Sequence, residues 1–295
     1  MEGVTLVVLV AGLWLLARAL GVAGGRPFSL EGKAVVITGA ASGIGRQLAR
    51  KTFVETADIT LALVDIDSIA LEKLQTELAS MQSGGDRKRV LIYDCDVADH
   101  CAVDKCMTQL IGDVAPKHIG VLVNNAGVVA GRSFQELKPE QIRKTFAVNT
   151  LAHFWTLKAA LPSMKKASEA LLVTVSSVMG MTSSAGLTDY CASKAAVNAF
   201  HEALRLELWR GNVTSIRTLL VCPAAVDTGM FAGVLASGDW AVKISRLFIP
   251  MLPESAVADS IYHAMRRGDQ LLVSCFTGWR GIVLSWAPAV SRLLP

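Results

Sequence analysis

The chain has 295 residues, 52% of them hydrophobic and only 18% charged, against about 25% charged in an average globular protein. Disorder as the main state is excluded, because there is ample apolar surface to bury. A net charge of +4 spread along the chain gives no basic face for nucleic acid, and a mean hydropathy of +0.43 points to membrane contact.

Residues 4–23 read VTLVVLVAGLWLLARALGVA, with Arg18 as their one charge. Twenty helical residues reach about 30 Å, the thickness of a bilayer core. The run predicts a membrane anchor helix within residues 1–25. A membrane-embedded hairpin or interfacial helix is the second reading, and Arg18 favours such a short or shallow insertion because it can snorkel. A cleaved signal peptide is the third reading. It lacks its positively charged start, since Glu2 is the only charge before the apolar run. Arg18 lies in the later part of the run and Arg26, Lys33 and Arg46 follow it, so the positive-inside rule turns the body of the protein to the cytosol.

From Gly32 onward apolar runs alternate with helical periodicity. Strands are predicted over 34–38, 59–65, 89–94, 121–124, 170–175 and 215–221, and helices over stretches such as 69–80 and 139–158. Continuous Val/Ile/Leu runs belong to strands buried on both faces, hence to a parallel sheet with helices on each side. The expected fold is α/β, a doubly wound parallel sheet (Rossmann fold), forming one domain over 30–275. Residues 276–295 are apolar, with Arg280 and Arg292 as their only charges and Trp279 and Trp286 punctuating them, as suits a membrane-interfacial segment. The plain alternative is a core strand at 271–274 followed by a packed helix. The six cysteines, Cys95, Cys101, Cys106, Cys191, Cys222 and Cys275, form no CxxC pair and read as reduced thiols.

The first strand runs into Thr38-Gly39-Ala40-Ala41-Ser42-Gly43-Ile44-Gly45. Glycines between a first strand and a first helix let backbone N–H groups approach a pyrophosphate, whose charge the helix N-terminus favours. Gly39, Ser42, Gly43, Ile44 and Gly45 are therefore candidate cofactor contacts; the plain alternative is a tight turn without a ligand. Asp65 ends the second strand, where a carboxylate accepts hydrogen bonds from both adenosine ribose hydroxyls and repels a 2′-phosphate. Asp67 adds to the repulsion, so NAD is expected over NADP.

Tyr190 and Lys194 are four residues apart and share one helix face. An ammonium beside a phenol is expected to lower its pKa, so that Tyr190 can take a proton from an alcohol while hydride leaves the carbon. Such a pair alone is near chance level. Its neighbours are not: Asn124-Asn125-Ala126-Gly127 ends the fourth strand and Val175-Ser176-Ser177 the fifth. No metal-ligand spacing occurs, so no metal is expected. His153 and His201 read as ordinary packed or surface histidines.

Together these motifs, in this order over residues 33–230, resemble the short-chain dehydrogenase/reductase family. The resemblance implies a catalytic set of Asn149, Ser177, Tyr190 and Lys194. Ser177 would hold the substrate oxygen, Asn149 would order a water in a proton relay to Lys194, and Lys194 would also contact the nicotinamide ribose. It implies further cofactor contacts at Asp96 and Val97 for the adenine, at Asn125, Ala126 and Gly127 on the ribose side, and at Val226 and Thr228 for the carboxamide. The family usually carries Pro-Gly after the sixth strand, where this chain has Pro223-Ala224. It commonly forms homodimers through the Asn and Tyr helices.

The stretches His153 to Lys158, Ser184 to Lys194 and Val226 to Phe231, and Leu252-Pro253-Glu254, look like the membrane-bound retinol dehydrogenases and the lipid-droplet 17β-hydroxysteroid dehydrogenases that cluster with them. This implies a hydrophobic alcohol or carbonyl substrate, retinol before steroid. It also implies an endoplasmic reticulum or lipid-droplet location facing the cytosol. Apolar residues from Met230 to Leu252 would cover the active site; the plain alternative is core packing or a dimer contact. A non-catalytic cofactor-binding protein of the membrane or droplet surface is the competing class, and a secreted binding protein a third.

Overall fold

The computed structural model describes residues 26–81, 89–224, 226 and 251–274. The expected anchor at 1–25, the segment at 276–295, Thr228 and all but the end of the apolar stretch at 230–252 lie outside the described residues. Among the described residues no helix is long and apolar enough to cross a membrane.

The elements alternate in chain order. They are β1 (Lys33–Thr38), α1 (Gly43–Glu55), β2 (Ile59–Asp65), α2 (Ser68–Ser80), β3 (Val90–Asp94), α3 (His100–Asp113) and β4 (Ile119–Asn124). After β4 come α4 (Pro139–Phe146), a π-helical turn (Ala147–Leu151), α5 (Ala152–Met164), β5 (Ala170–Val175) and a 3₁₀ turn (Val178–Gly180). The last are α6 (Thr188–Arg210), β6 (Ile216–Pro223), α7 (Glu254–Arg267) and β7 (Leu271–Ser274). All seven strands are parallel, in the order β3-β2-β1-β4-β5-β6-β7.

Side-chain alternation along each strand builds two cores. Val35, Ile37, Leu61, Leu63, Val121, Val123, Leu171 and Val173 face α1, α2 and α7, meeting Leu48, Phe53, Leu71, Leu74, Ile261 and Met265. Ala34, Val36, Ala62, Val64, Leu122 and Leu172 face the other way, toward α3, α5 and α6. Burial on both faces is why the strand sequences run apolar without alternation. The chain reverses direction across the sheet between β1 and β4. Loops at their carboxyl ends diverge there and leave a crevice, the usual ligand position in such sheets.

One expectation is corrected. The periodic stretch 139–158 is not one helix: Ala152 N–H donates to the Ala147 carbonyl, one residue further back than in an α-helix, and divides α4 from α5. The helix carrying Tyr190 runs from Thr188 to Arg210, so Tyr190 and Lys194 do lie on one helix. The strand at 271–274 forms as β7, paired to β6 with Pro223 opposite Ser274. Pro253 and Glu254 do open a helix, which ends at Gly268 in a left-handed conformation.

Candidate active site

A cavity of about 720 Å³ occupies the crevice, lined along its length by the glycine turn, Asp65, Asp96, Val97, Asn125 to Gly127, Ser177, Tyr190, Lys194, Ala224 and Val226. Residues from every strand end between β3 and β6 meet in this one space, although they span more than 180 positions of sequence.

One end is shaped by main chain. Gly39 has φ of +64°, and a Cβ there would stand 2.8 Å from Ala126 Cα. At Gly45 a Cβ would stand 2.1 Å from the Gly39 carbonyl oxygen, so only hydrogen fits. Asn125 braces this turn: its Nδ2 donates to the carbonyls of Thr38 and Gly39 at 3.0 and 3.1 Å. Thr38 Oγ1 accepts from the N–H groups of Asn125 and Ala126 at 3.0 and 3.1 Å. The Asn125 amide is thus spent on holding the turn. Thr38 is a brace that sequence reasoning passed over, though a hydroxyl just before the first glycine was the visible signal.

The Asp65 carboxylate accepts from Ala41 N–H at 2.9 Å and from Asp67 N–H at 3.1 Å. It locks the end of β2 to the glycine turn and keeps lone pairs for a ribose. A cradle that a Cβ would fill, a helix N-terminus and a carboxylate beyond them fit a dinucleotide.

The other end is built from buried side chains. Tyr190 is 5% exposed and Lys194 3%. Lys194 Nζ donates to the Val175 carbonyl at 3.1 Å and lies 5.9 Å from the centre of the Tyr190 ring. Tyr190 shares a hydrogen bond with Ser177, whose Oγ also accepts from Met179 N–H at 3.1 Å. The 3₁₀ turn holds Ser177 by packing directly on α6: a Cβ on Gly180 would lie 2.7 Å from the Lys194 backbone.

Burial, opposed in part by the Ser177 hydrogen bond, pushes the Tyr190 phenol up to about 12. This corrects the expected lowering. Loss of water to burial is the largest cause of this shift, and the Lys194 ammonium, 5.9 Å from the ring centre, is not among its causes. Burial also brings Lys194 down to about 8, which leaves it cationic at neutral pH.

Asn149 lies within the π-helical turn and is fully buried. Its Oδ1 accepts from Val128 N–H at 2.7 Å, and its Nδ2 donates to the Val128 carbonyl and Ser193 Oγ at 2.9 and 3.0 Å. Thr145 Oγ1 donates to Asp189 Oδ2 at 2.6 Å, and Thr150 Oγ1 to the Ser193 carbonyl at 3.1 Å. These polar bolts fix α4 and the π-helical turn against the helix that carries Tyr190. Nothing in their spacing marked them in advance.

His153 and His201 are packed inside, at 2% and 0% exposure. Burial lowers them to about 3 and about 4. Lys194 adds to the first shift and Arg205 to the second, opposed there by Glu202.

The sequence pattern described as short chain dehydrogenase matches residues 33–237. The chain belongs to the short-chain dehydrogenase family. It is an oxidoreductase that works with a nicotinamide dinucleotide on a small-molecule alcohol or carbonyl. It is 38% identical over 244 residues to short-chain dehydrogenase/reductase family 16C member 6 of Bos taurus, covering 83% of this chain and 72% of that one. It is 37% identical over 251 residues to retinol dehydrogenase 10-B of Danio rerio, covering 80% and 72%. A short-chain dehydrogenase/reductase from Burkholderia phymatum, solved in complex with NAD, shares the fold with a TM-score of 0.75 at 23% identity, over 90% of this chain and 95% of that chain.

Proposed function

We propose that this short-chain dehydrogenase is a membrane-associated enzyme that moves hydride between NAD(H) and a hydrophobic alcohol or carbonyl, with retinol and retinal as its substrate pair. The observation that carries the chemistry is the buried Tyr190, hydrogen-bonded to Ser177 with Lys194 over its ring, opening on the cofactor cavity. Relatives at 37% identity named retinol dehydrogenase support the substrate class. The anchor-like run at 4–23 supports membrane association.

A bound nicotinamide supplies the hydride donor or acceptor, and Asp65 favours the form without a 2′-phosphate. Gly39, Ser42, Gly43, Ile44, Gly45, Asp65, Asp96, Val97, Asn125, Ala126, Gly127, Val226 and Thr228 hold the dinucleotide. Ser177 Oγ binds the substrate oxygen. In reduction, Tyr190 gives its phenolic proton to that oxygen; in oxidation it takes the proton back. With its phenol near 12, Tyr190 rests neutral, ready to act as the acid. The Lys194 cation stabilises negative charge as it forms on the phenol, and Asn149 holds the loop at Val128 against the Tyr190 helix.

Leu151, Phe154, Leu206 and Trp209 stay exposed on the π-helical turn, α5 and α6, which supports a homodimer paired along these helices. The catalytic domain then faces the cytosol from the endoplasmic reticulum or a lipid droplet.

The test is NADH formation at 340 nm by detergent-solubilised protein given NAD or NADP, with all-trans-retinol or a 17β-hydroxysteroid, beside Tyr190→Phe. Tyrosine-dependent NADH production with retinol supports the reading. Turnover of the steroid alone moves the substrate to the steroid branch. Silence with both, while NAD binds, overturns it.

A further inference from the structure

At the amino edge of the sheet, away from the cofactor cavity, a groove of about 460 Å³ opens between the end of α6, the start of β6 and the turn before β7. Arg26, Arg205, Trp209, Asn212, Arg217 and Gln270 are among the residues that line it. Arg217 ties the groove to the incoming chain. Its guanidinium pairs with Glu169 at 2.8 Å and donates to the carbonyls of Pro27 and Arg26. Trp209, in the last turn of α6, is 75% exposed.

The ends of three helices bring cations to this corner. Lys165 and Lys166 follow α5, Arg205 and Arg210 lie near the end of α6, and Arg266 and Arg267 close α7. Three of the cations here are paired: Arg205 with Glu202 at 2.9 Å, Arg217 with Glu169 at 2.8 Å and Arg267 with Asp269 at 2.7 Å. Arg26, Lys165, Lys166, Arg210 and Arg266 are exposed and have no ion pair among the described residues. A helix C-terminus favours a cation through its dipole. That alone does not account for the pattern, because α1, α2 and α3 carry no basic residue in their last turns. The charge belongs to this corner and not to the whole edge.

Arg26 also fixes where the corner lies. The apolar run of 4–23 ends three residues before it. Three residues span at most about 11 Å, little more than the depth of a headgroup layer. With that run in a bilayer, the groove that holds Arg26 stands at the membrane surface.

We propose that this corner docks on an anionic phospholipid surface, with its unpaired cations against headgroup phosphates and carboxylates and Trp209 in the interfacial layer. The proposal rests on the membrane reading above and adds the face that meets the lipid and the lipid charge it selects. Guanidinium groups take phosphate oxygens two at a time, and Trp favours the headgroup level. Each Lys or Arg near an anionic leaflet strengthens attachment about fivefold. The apolar run holds the chain to the membrane whatever its lipid; the cations turn this corner toward it. A second copy paired along α5 and α6 is the rival occupant for Trp209.

The test places the full-length protein in nanodiscs of phosphatidylcholine alone, or of two parts phosphatidylcholine to one part phosphatidylserine, and follows hydrogen exchange by mass. Co-flotation with vesicles of the same two compositions is measured beside it. Exchange across 205–217 is expected to be at least about threefold slower in the anionic discs. Salt at about 1 M, which screens charges beyond about 3 Å, should erase the difference. So should Lys165→Glu combined with Lys166→Glu and Arg210→Glu, with the thermal melt showing that the variant is folded. Equal exchange in both discs, with the protein still floating, overturns the proposal and leaves the membrane reading intact. Slowing that follows protein concentration and ignores lipid charge gives Trp209 to a second copy and also overturns it. Failure to float with either vesicle overturns the membrane reading itself, and the proposal with it.

Discussion

The two ends of the cavity are made differently. The glycine-turn end is a matter of shape: positive φ at Gly39, no room for a methyl at Gly45, and backbone groups held by Thr38 and Asn125. The Tyr190 end is a matter of charge taken out of water: a phenol raised to about 12, an ammonium lowered to about 8, and two imidazoles held neutral. A shape-built site fails when an atom is added. A charge-built site fails when an atom is removed or the pH changes. Each end therefore has its own kind of damaging substitution.

The largest effect is expected at the charge-built end. Tyr190→Phe removes one oxygen and leaves the ring, so kcat falls about 10²–10⁴-fold while NAD affinity stays within about twofold. Steady-state kinetics with equilibrium dialysis checks it; a parallel loss of NAD binding would blur the distinction between the ends.

The converse is Gly45→Ala, which puts a methyl 2.1 Å from the Gly39 oxygen. Overpacking of this kind costs about 1–3 kcal/mol, so NAD affinity falls about 10- to 100-fold. Turnover at saturating NAD should fall far less. Equal affinity in wild type and variant would mean that the turn does not hold the cofactor.

Asp65→Asn keeps the shape and removes the charge. The expected change is about tenfold in the NAD-to-NADP ratio of kcat/KM, toward NADP. An unchanged ratio would assign Asp65 to fold stability alone, through Ala41 and Asp67.

The smallest effect at pH 7 belongs to His201→Phe. The folded protein holds His201 near 4 against an ordinary 6.5. Below pH 6.5 the unfolded chain binds a proton that the folded chain refuses, so stability falls as pH drops from about 6.5 toward 4. Removing the imidazole should spare about 1–3 kcal/mol of that loss near pH 4.5 and change little at pH 7. Thermal melts at the two pH values read this directly.

Sequence legibility follows the same division. The glycine turn, Asp65 and the strand ends were readable because shape requirements select residue types: only glycine fits at Gly39 and Gly45, and a parallel core strand must be apolar. The coming together of Asn149, Ser177, Tyr190 and Lys194 came from resemblance, since a four-residue spacing alone is common. The π-helical turn was hidden because a single i−5 hydrogen bond hardly disturbs the apolar period of 139–158. The direction of the Tyr190 shift was hidden too. Spacing placed an ammonium nearby, but only the packing shows how much water both groups lose.

The parallel sheet also decides where the chain comes and goes. Phe28 is buried under the cations of Lys33 and Arg217, and Phe28 N–H donates to the Arg266 carbonyl, so the chain enters at the amino edge of the strands. It leaves β7 at Ser274, opposite Pro223, at the carboxyl edge beside the cavity mouth. From Arg217 to Pro223 the sheet is about 20 Å deep. A tether at residue 26 therefore pulls on the floor of the molecule, and one at 274 pulls on its roof. A single flat surface that gripped both attachments would have to run along the flank of the sheet, with the cavity opening parallel to it. Substrate would then slide in sideways along the surface rather than drop through it.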